Sequence, residues 1–228
     1  MSFFLGELAV AREHAEQAIA LYDPQRDNPQ VSGVAQDLGA MCLANAALAL
    51  WPLGYPDQAL QRVQEMLTLA RELAHPYSLA YALGFAARVH QLRQEGQQTR
   101  EQAEAAITLC TDHGFPLYLA VGTILRGWAL AEQGQGKDGI AQICQGLAGL
   151  RATGAAVFTP YYQALLAETY GRDGQAGEGL TVVGEALAIV DKNEERWWQR
   201  GNSCLRRKSK AKSQRAKVKS QKLPIPDA

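Results

Sequence analysis

Aromatic residues are scarce in this chain of 228 residues: they make up 7% of it, although 47% of the residues are hydrophobic. Ala and Leu make up much of the apolar content, and both favour helices. Strands instead favour aromatic and β-branched residues. Long hydrophobic runs are also lacking, because the most apolar stretch, 38–53, is interrupted by Asn45 and Pro52. A membrane-spanning helix needs about 20 apolar residues. The composition therefore predicts an all-α protein with no membrane span.

The residues that carry chemistry are few and isolated. Four cysteines lie far apart, without the spacing of metal ligands: Cys42, Cys110, Cys144 and Cys204. Four histidines are equally separate: His14, His75, His90 and His113. Metal binding or acid–base catalysis at His90 would need partners one helical turn away, and the sequence has none there. It also lacks a GxxxxGK[ST] phosphate loop. The sequence predicts no catalytic residue, no cofactor and no metal.

Charge of one sign does not dominate the chain, since 23 Lys and Arg residues balance 23 Asp and Glu residues. The two signs are nevertheless separated along it. Residues 1–199 hold 13 basic and 22 acidic residues, a net charge of −9, whereas residues 200–228 hold ten basic and one acidic, a net charge of +9. The segment 200–228 is rich in Lys, Ser and Gln without apolar periodicity, so it cannot bury enough surface to offset its ordering entropy. It is predicted to be a disordered tail.

The basic tail has two interpretations. It could bind the phosphates of nucleic acid, or an anionic surface, through Arg206 to Lys222. It has no interleaved aromatic residues for base stacking and no lipidation motif, so a solvated linker is the favoured interpretation and nucleic-acid binding the alternative. Met1 to Leu8 lack the basic start and apolar core of a secretory signal. A cytoplasmic location is therefore predicted.

A pattern of two amphipathic helices joined by a glycine turn recurs along the chain. The turn glycines are Gly54, Gly96, Gly134 and Gly174. The intervals between them are unequal, but each is about 40 residues long. The unit at Gly96 is irregular, because it needs two extra residues to bring Ala103 and Ile107 into register. Such a unit cannot bury its own apolar face and must stack on its copies. The pattern predicts a right-handed superhelical solenoid of tetratricopeptide-like hairpins with a period of about 40 residues, longer than the usual 34 or so; a bundle of unrelated helices is the alternative.

The predicted boundaries follow from this register. One repeat domain covers residues 1–199 and the tail covers residues 200–228. Within the domain, a half-repeat at 3–22 precedes hairpins at about 34–74, 77–113, 117–153 and 159–192, and a fifth unit starts at 194–199. The incomplete units at both ends expose apolar faces, Trp197 and Trp198 among them. Self-association through the ends is therefore predicted.

The first helix of each hairpin is expected to line the concave face of the solenoid. Aromatic residues and arginine dominate binding energy at protein interfaces. The candidate partner-binding residues on this face are Trp51, His90, Arg93, Trp128, Glu132, Tyr161, Glu168 and Arg172. Trp51 and Trp128 fit equally well as packing between neighbouring hairpins. Arg88 and Arg126 share a normally apolar register position, where they either pair with acidic groups or extend their charged ends to solvent.

Several stretches resemble a known group of proteins: ALALWPLGYPDQAL, GFPLYLAVGTILRGWALAEQGQG, and LLAETYGRDGQAGEGL with ALAIVDKNEERWW. They are similar to the C-terminal tetratricopeptide region of large bacterial signalling proteins that carry an adenylate/guanylate cyclase domain (or a kinase or DNA-binding domain) and an AAA-type ATPase module. The resemblance covers most of residues 3–198 and ends at Gln199-Arg200-Gly201-Asn202. It implies a fragment without the catalytic domains: a non-catalytic interaction or regulatory module from the sensor or scaffold end of such a protein.

Overall fold

A computed structural model describes residues 2–3, 5–27 and 35–193 of the chain. These residues form ten helices and no strand, which confirms the all-α prediction. Helices α1 (Leu8–Leu21) and α2 (Pro24–Asp27) come first. Four hairpins follow: hairpin 1 with α3 (Leu38–Leu50) and α4 (Pro56–Glu72), hairpin 2 with α5 (Pro76–Leu92) and α6 (Gly96–His113), hairpin 3 with α7 (Pro116–Glu132) and α8 (Gly136–Ala152), and hairpin 4 with α9 (Thr159–Arg172) and α10 (Ala176–Asn193). The predicted fifth unit at 194–199 and the tail at 200–228 lie outside the described residues.

The turns of the four hairpins are closed by residues in the left-handed backbone conformation, at equal intervals along the chain. Within the hairpins these residues are Gly54 (φ 90°), Gln94 (φ 62°), Gly134 (φ 84°) and Gly174 (φ 79°). Midway between them, the connections from one hairpin to the next use Ala74 (φ 48°), Gly114 (φ 70°) and Gly154 (φ 75°). A left-handed residue ends an α-helix because the reversed twist lets the next N–H bond back to the last turn. The chain thus reverses direction twice in each repeat.

This regular spacing corrects the register expected at Gly96. Gly96 is the first residue of α6, and Gln94 takes the left-handed turn position instead. The unequal intervals expected on either side of Gly96 are therefore wrong, and the two extra residues are unnecessary. Ala103 aligns directly with Val63 of the preceding hairpin. The corrected register also separates Arg88 from Arg126, because the residue equivalent to Arg88 in hairpin 3 is Trp128.

The start of the solenoid is fixed by a buried carboxylate. Asp37 caps α3, where its Oδ1 atom accepts a hydrogen bond of 2.8 Å from the backbone N–H of Ala40. Its Oδ2 atom accepts a bond of 2.8 Å from the Tyr22 hydroxyl, just after α1. The backbone N–H of Asp37 donates to Ser78 Oγ in the first turn of α5 at 2.9 Å. Three helix ends are thereby joined at one residue.

The helices of the hairpins form two layers. The first helices, α3, α5, α7 and α9, contact one another in succession and make up the inner layer. They are buried on nearly all sides; every residue from Ala80 to Val89 of α5, for example, is buried. The second helices bury one face only, at the positions that Val63, Ala103, Ile143 and Val183 share. The core therefore lies between the layers, and the inner layer holds the most enclosed side chains.

Candidate functional site

A buried arginine lies at the centre of the inner layer. Arg88 of α5 is only 2% exposed. Its guanidinium carbon lies 4.4 Å from the ring centre of Phe85 and 4.0 Å from that of Phe158. It lies 5.9 Å from the ring centre of Tyr161 and 5.5 Å from that of Tyr162, whose hydroxyl accepts a hydrogen bond from Arg88 Nη2. These five residues are called the Arg88 cage, and the geometry of the four rings around the cation is that of cation–π contacts.

The Arg88 cage joins two hairpins that are not neighbours in the array. Arg88 belongs to hairpin 2, whereas Tyr162 belongs to hairpin 4. A second hydrogen bond joins the same two hairpins, since the Tyr161 hydroxyl donates to Gln91 Oε1. Hairpin 3 lies between them in sequence, so the inner face is curved enough for α5 and α9 to meet across it. The side chains of the chain itself fill this part of the inner face.

Phe158 reaches the cage from an unusual connection. The chain between α8 and α9 has six residues, 153–158, whereas the two earlier connections between hairpins have three (73–75) and two (114–115). Phe158 ends the long connection with a left-handed backbone, at φ 65°. A bulky residue in that region is strained. The longer connection is what brings the Phe158 ring over the guanidinium.

The charge of Arg88 has no carboxylate partner among the residues that the structure describes. Its Nε and Nη1 atoms are buried there without a hydrogen-bond acceptor. Tyrosines surround it, and burial raises the pKa of Tyr161 well above its usual value although the charge of Arg88 opposes this. Burial likewise raises the pKa of Tyr81 and Tyr118. These phenols are neutral at physiological pH, so they do not compensate the positive charge.

Two of the eight predicted partner-binding residues are deeply buried. Trp128 is 1% exposed and Tyr161 is 2% exposed. Trp51 is partly buried and packs against the core. A partner on the inner face would therefore meet the neighbours of Trp128 and Tyr161 rather than these side chains themselves. The other five residues take part in two groups of ion pairs.

The first group lies at the turn of hairpin 2. His90 Nδ1 lies 2.6 Å from Glu95 Oε2, and Arg93 Nε donates to Glu95 Oε1 at 2.6 Å. Arg93 Nη1 also lies 3.5 Å from Asp57 Oδ1 at the start of α4. Burial opposes ionisation of Glu95, but the hydrogen bonds from His90 and Arg93 outweigh it and lower its pKa. The group links the turns of hairpins 1 and 2.

The second group joins hairpins 3 and 4. Arg172, at the end of α9, forms ion pairs with Glu132 of α7 and with Glu168 one turn earlier, the latter at 2.8 Å. Burial raises the pKa of Glu168. The two ion-pair groups together are called the charged rim: His90, Arg93, Glu132, Glu168 and Arg172. Binding of a partner by the predicted residues stays a prediction.

The Arg88 cage could not be predicted as a site from the sequence. The one available signal was an arginine at a normally apolar position, and the register that placed Gly96 in the turn aligned it with Arg126. Arg126 behaves differently, since its Nε atom donates to Gln142 Oε1 at 2.7 Å near the surface. Phe158 and Tyr162 were missed because contacts between residues so far apart in the sequence leave no local pattern.

Neither a membrane segment nor a metal centre is found in the described part of the chain. None of its helices is long and apolar enough to cross a bilayer. In residues 2–3, 5–27 and 35–193, no group of three or more His, Cys, Asp and Glu side chains is placed to hold a metal ion. Cys42, Cys110 and Cys144 are free thiols. The features that remain for function are the Arg88 cage and the charged rim.

Two-layered hairpins stacked in register define the class: the fold is an all-α solenoid of tetratricopeptide-like repeats. It is similar to the crystal structure of a putative kinesin light chain from Podosopora anserina with nearly identical TPR-like repeats, at 17% identity and a TM-score of 0.51, over 86% of this chain and 92% of that one. A single-residue variant of that protein matches at 16% identity, with the same coverage and a TM-score of 0.52. BtubC (BKLC) from P. vanneervenii matches at 14% identity and a TM-score of 0.54, over 99% of this chain and 94% of that one. No family model and no curated protein matches the chain.

These similarities concern the fold, because identities this low carry no information about partners. They confirm the predicted solenoid of tetratricopeptide-like hairpins and the repeat part of the sequence resemblance. The association with cyclase and ATPase domains stays a prediction.

Proposed function

We propose that this chain is a non-catalytic repeat module that binds a protein partner on its inner layer. The observation that supports the proposal is the charged rim. Its five residues come from the ends of the first helices in hairpins 2, 3 and 4, so they follow the inner layer from one hairpin to the next. They are partly exposed, and each takes part in an ion pair. A partner with both charge signs can exchange its own groups for these ion pairs.

The rim favours polar recognition over apolar recognition. Trp128 and Tyr161 are enclosed beneath it, so the accessible groups are carboxylates, guanidinium groups and an imidazole. Charged groups at an interface contribute more to specificity and to the rate of association than to affinity. The proposed interaction is therefore reversible and weakens as the salt concentration rises.

We further propose the sensor or scaffold end of a cyclase–ATPase signalling protein as the setting. The support is the resemblance of stretches such as ALALWPLGYPDQAL and LLAETYGRDGQAGEGL to the repeat regions of those proteins. In that setting the module would control or position catalytic domains that this chain does not contain. The natural candidates for the partner are then the cyclase and ATPase modules of such a signalling protein.

Site-specific photocrosslinking tests the proposal. A photoreactive residue replaces Glu132 on the rim in one protein and Gln145 on the outer helix α8 in the matched control. A cyclase or ATPase module of such a signalling protein should crosslink at position 132 and not at position 145, and Arg172→Glu should weaken binding of that module in solution. Equal crosslinking at both positions, or none at position 132, would contradict the proposed surface.

A further inference from the structure

The buried positive charge of Arg88 is not balanced by an anion among the described residues. A guanidinium stays protonated at any physiological pH, so burial cannot neutralise it as it would a lysine or a carboxylate. An isolated buried charge is costly unless it is paired and hydrogen-bonded. The aromatic rings stabilise part of the charge, and the Tyr162 hydroxyl accepts one hydrogen bond from the guanidinium. Within the described residues, Nε and Nη1 still have no acceptor.

A third donor is buried at the equivalent position of the next hairpin. Trp128 follows Arg88 by one repeat, and its indole Nε1 atom is buried without an acceptor among the described residues. An indole N–H can only donate, as can a guanidinium. In the described helices, the inner layer therefore holds three enclosed nitrogen donors without acceptors, two on Arg88 and one on Trp128.

We infer that the Arg88 cage is a binding site for a carboxylate with an apolar body. A carboxylate is flat and accepts two parallel hydrogen bonds from one edge of a guanidinium, either Nε with Nη2 or Nη1 with Nη2. Tyr162 takes one of the two Nη2 hydrogens, so the other can pair with Nε or Nη1 toward a carboxylate. Its single charge balances one arginine. A phosphate dianion would bring a second negative charge that one arginine does not balance, and an uncompensated buried charge is costly. The rings of Phe85 and Tyr161 favour a ligand whose remainder is apolar or aromatic.

Phe158 controls access to this site. Its ring is the nearest of the four to the guanidinium, and it is only partly buried. It ends the long connection 153–158, in which Val157 is 48% exposed. Its left-handed backbone is strained, so the chain at Phe158 changes conformation more readily than a helical residue does. A change that turned the Phe158 ring away from Arg88 would make room for a ligand beside the guanidinium.

Titration of the full chain with benzoate tests the site, with benzamide as the neutral control of the same shape. Benzoate should raise the melting temperature in a saturable manner, and benzamide should not. Phe158→Gly removes the lid and relieves the backbone strain, so it should lower the Kd for benzoate by about threefold to tenfold. No saturable response to benzoate in both the wild-type chain and Phe158→Gly overturns the inference.

Arg88 variants identify the group that binds. Arg88→Met should raise the Kd by at least about tenfold, as expected for a lost charge-assisted hydrogen bond. Arg88→Lys keeps the charge but loses the fork, and it covers the case in which Arg88→Met fails to fold. Arg126→Met is the matched control on α7 and should leave the Kd unchanged. A Kd that is unchanged in a folded Arg88 variant overturns the inference.

The carboxylate can come from a free compound or from an acidic side chain of a partner. Two amidated, N-acetylated apolar nonapeptides distinguish these sources, since they differ only in one central aspartate or asparagine. Tighter binding of the aspartate peptide than of benzoate supports a partner side chain, and the reverse order supports a free compound. The inference is independent of the proposed function: loss of crosslinking at position 132 leaves the benzoate result intact, and a failed titration leaves the crosslinking result intact.

Discussion

Gln94 occupies a backbone conformation that the equivalent hairpin turns give to glycine. A residue with a Cβ atom is destabilised by about 1–2 kcal/mol in the left-handed region. Glycine avoids this strain but loses more conformational entropy on folding. The substitution would also remove the bond of 3.3 Å from Gln94 Nε2 to the Gln91 carbonyl oxygen. The strain is the largest of these contributions, so we expect Gln94→Gly to raise the free energy of unfolding by about 0.5–1 kcal/mol, measured by urea denaturation.

Gly134→Ala is the matched control for this prediction. Gly134 is left-handed at φ 84°, and a Cβ atom added to it would meet nothing within 4 Å. Only backbone strain is then added, and the free energy of unfolding should fall by about 1 kcal/mol. A loss of stability in Gln94→Gly would show that the Gln94 side chain contributes more than its backbone costs.

Glu95 gives the turn of hairpin 2 a dependence on pH. Its pKa in the folded chain lies below the ordinary value of 4.5, so the folded state favours the ionised form. This contribution to stability is present above about pH 4.5 and is lost as the pH falls through the lowered pKa. We expect Glu95→Gln to unfold with a weaker dependence on pH between about 5 and 3. Glu101→Gln, on the exposed side of α6, serves as the control, and melting curves at stepped pH values provide the measurement.

At the level of helices, hairpin 3 shows the closest packing. A Cβ atom on Gly127 of α7 would lie 2.7 Å from the carbonyl oxygen of Gly139 in α8. The two backbones touch because neither residue has a side chain. We expect Gly127→Ala to lower the free energy of unfolding by about 1–3 kcal/mol, since the helices must separate to admit the methyl group. Circular dichroism during thermal and urea unfolding measures the change.

Gly184→Ala tests whether that cost comes from packing. Gly184 lies within α10, and nothing would come within 4 Å of an added Cβ atom. Alanine is the better helix former by about 1 kcal/mol, so this variant should be more stable than the wild type. Destabilisation of equal size in both variants would mean that the close approach of α7 and α8 is not the cause.

Helical periodicity and turn signals made the hairpins predictable, since both are local. The register of hairpin 2 was not predictable, because the left-handed turn position is usually a glycine and the nearest glycine is Gly96. In the structure, Gln94 occupies that position. The Arg88 cage depends on contacts between hairpins 2 and 4 and on the extra length of the connection 153–158. Such contacts arise from the curvature of the assembled layers, which no single hairpin sequence contains. The charged rim was predictable in part, because its residues lie at the ends of the first helices, which the hairpin pattern locates.

In the whole molecule, contacts between hairpins are not limited to adjacent ones. In most solenoids each repeat contacts only the adjacent ones. Here Tyr162 of hairpin 4 accepts a hydrogen bond from Arg88 of hairpin 2. We expect Tyr162→Phe to destabilise the chain by about 1–3 kcal/mol, because a buried donor loses its acceptor. Amide hydrogen exchange should accelerate in α5 as well as in α9.

Tyr55→Phe is the control for this long-range effect, since Tyr55 is an exposed residue of hairpin 1. It should leave exchange in α5 and α9 unchanged. If Tyr162→Phe accelerates exchange in α9 and α10 alone, the bond to Arg88 does not couple the two hairpins.

The same bond has a mechanical consequence. A solenoid pulled from its two ends extends like a spring, because each turn opens a little against its neighbour. The Arg88 cage closes a loop around hairpin 3, so hairpins 2 to 4 resist tension as one stiff block. Hairpin 1 lies outside that loop and is held to hairpin 2 by packing between adjacent helices, by the Asp37–Ser78 hydrogen bond and by the Arg93–Asp57 ion pair. We therefore expect the molecule under load to yield first at its amino-terminal side, and the block to follow only after the cage has broken.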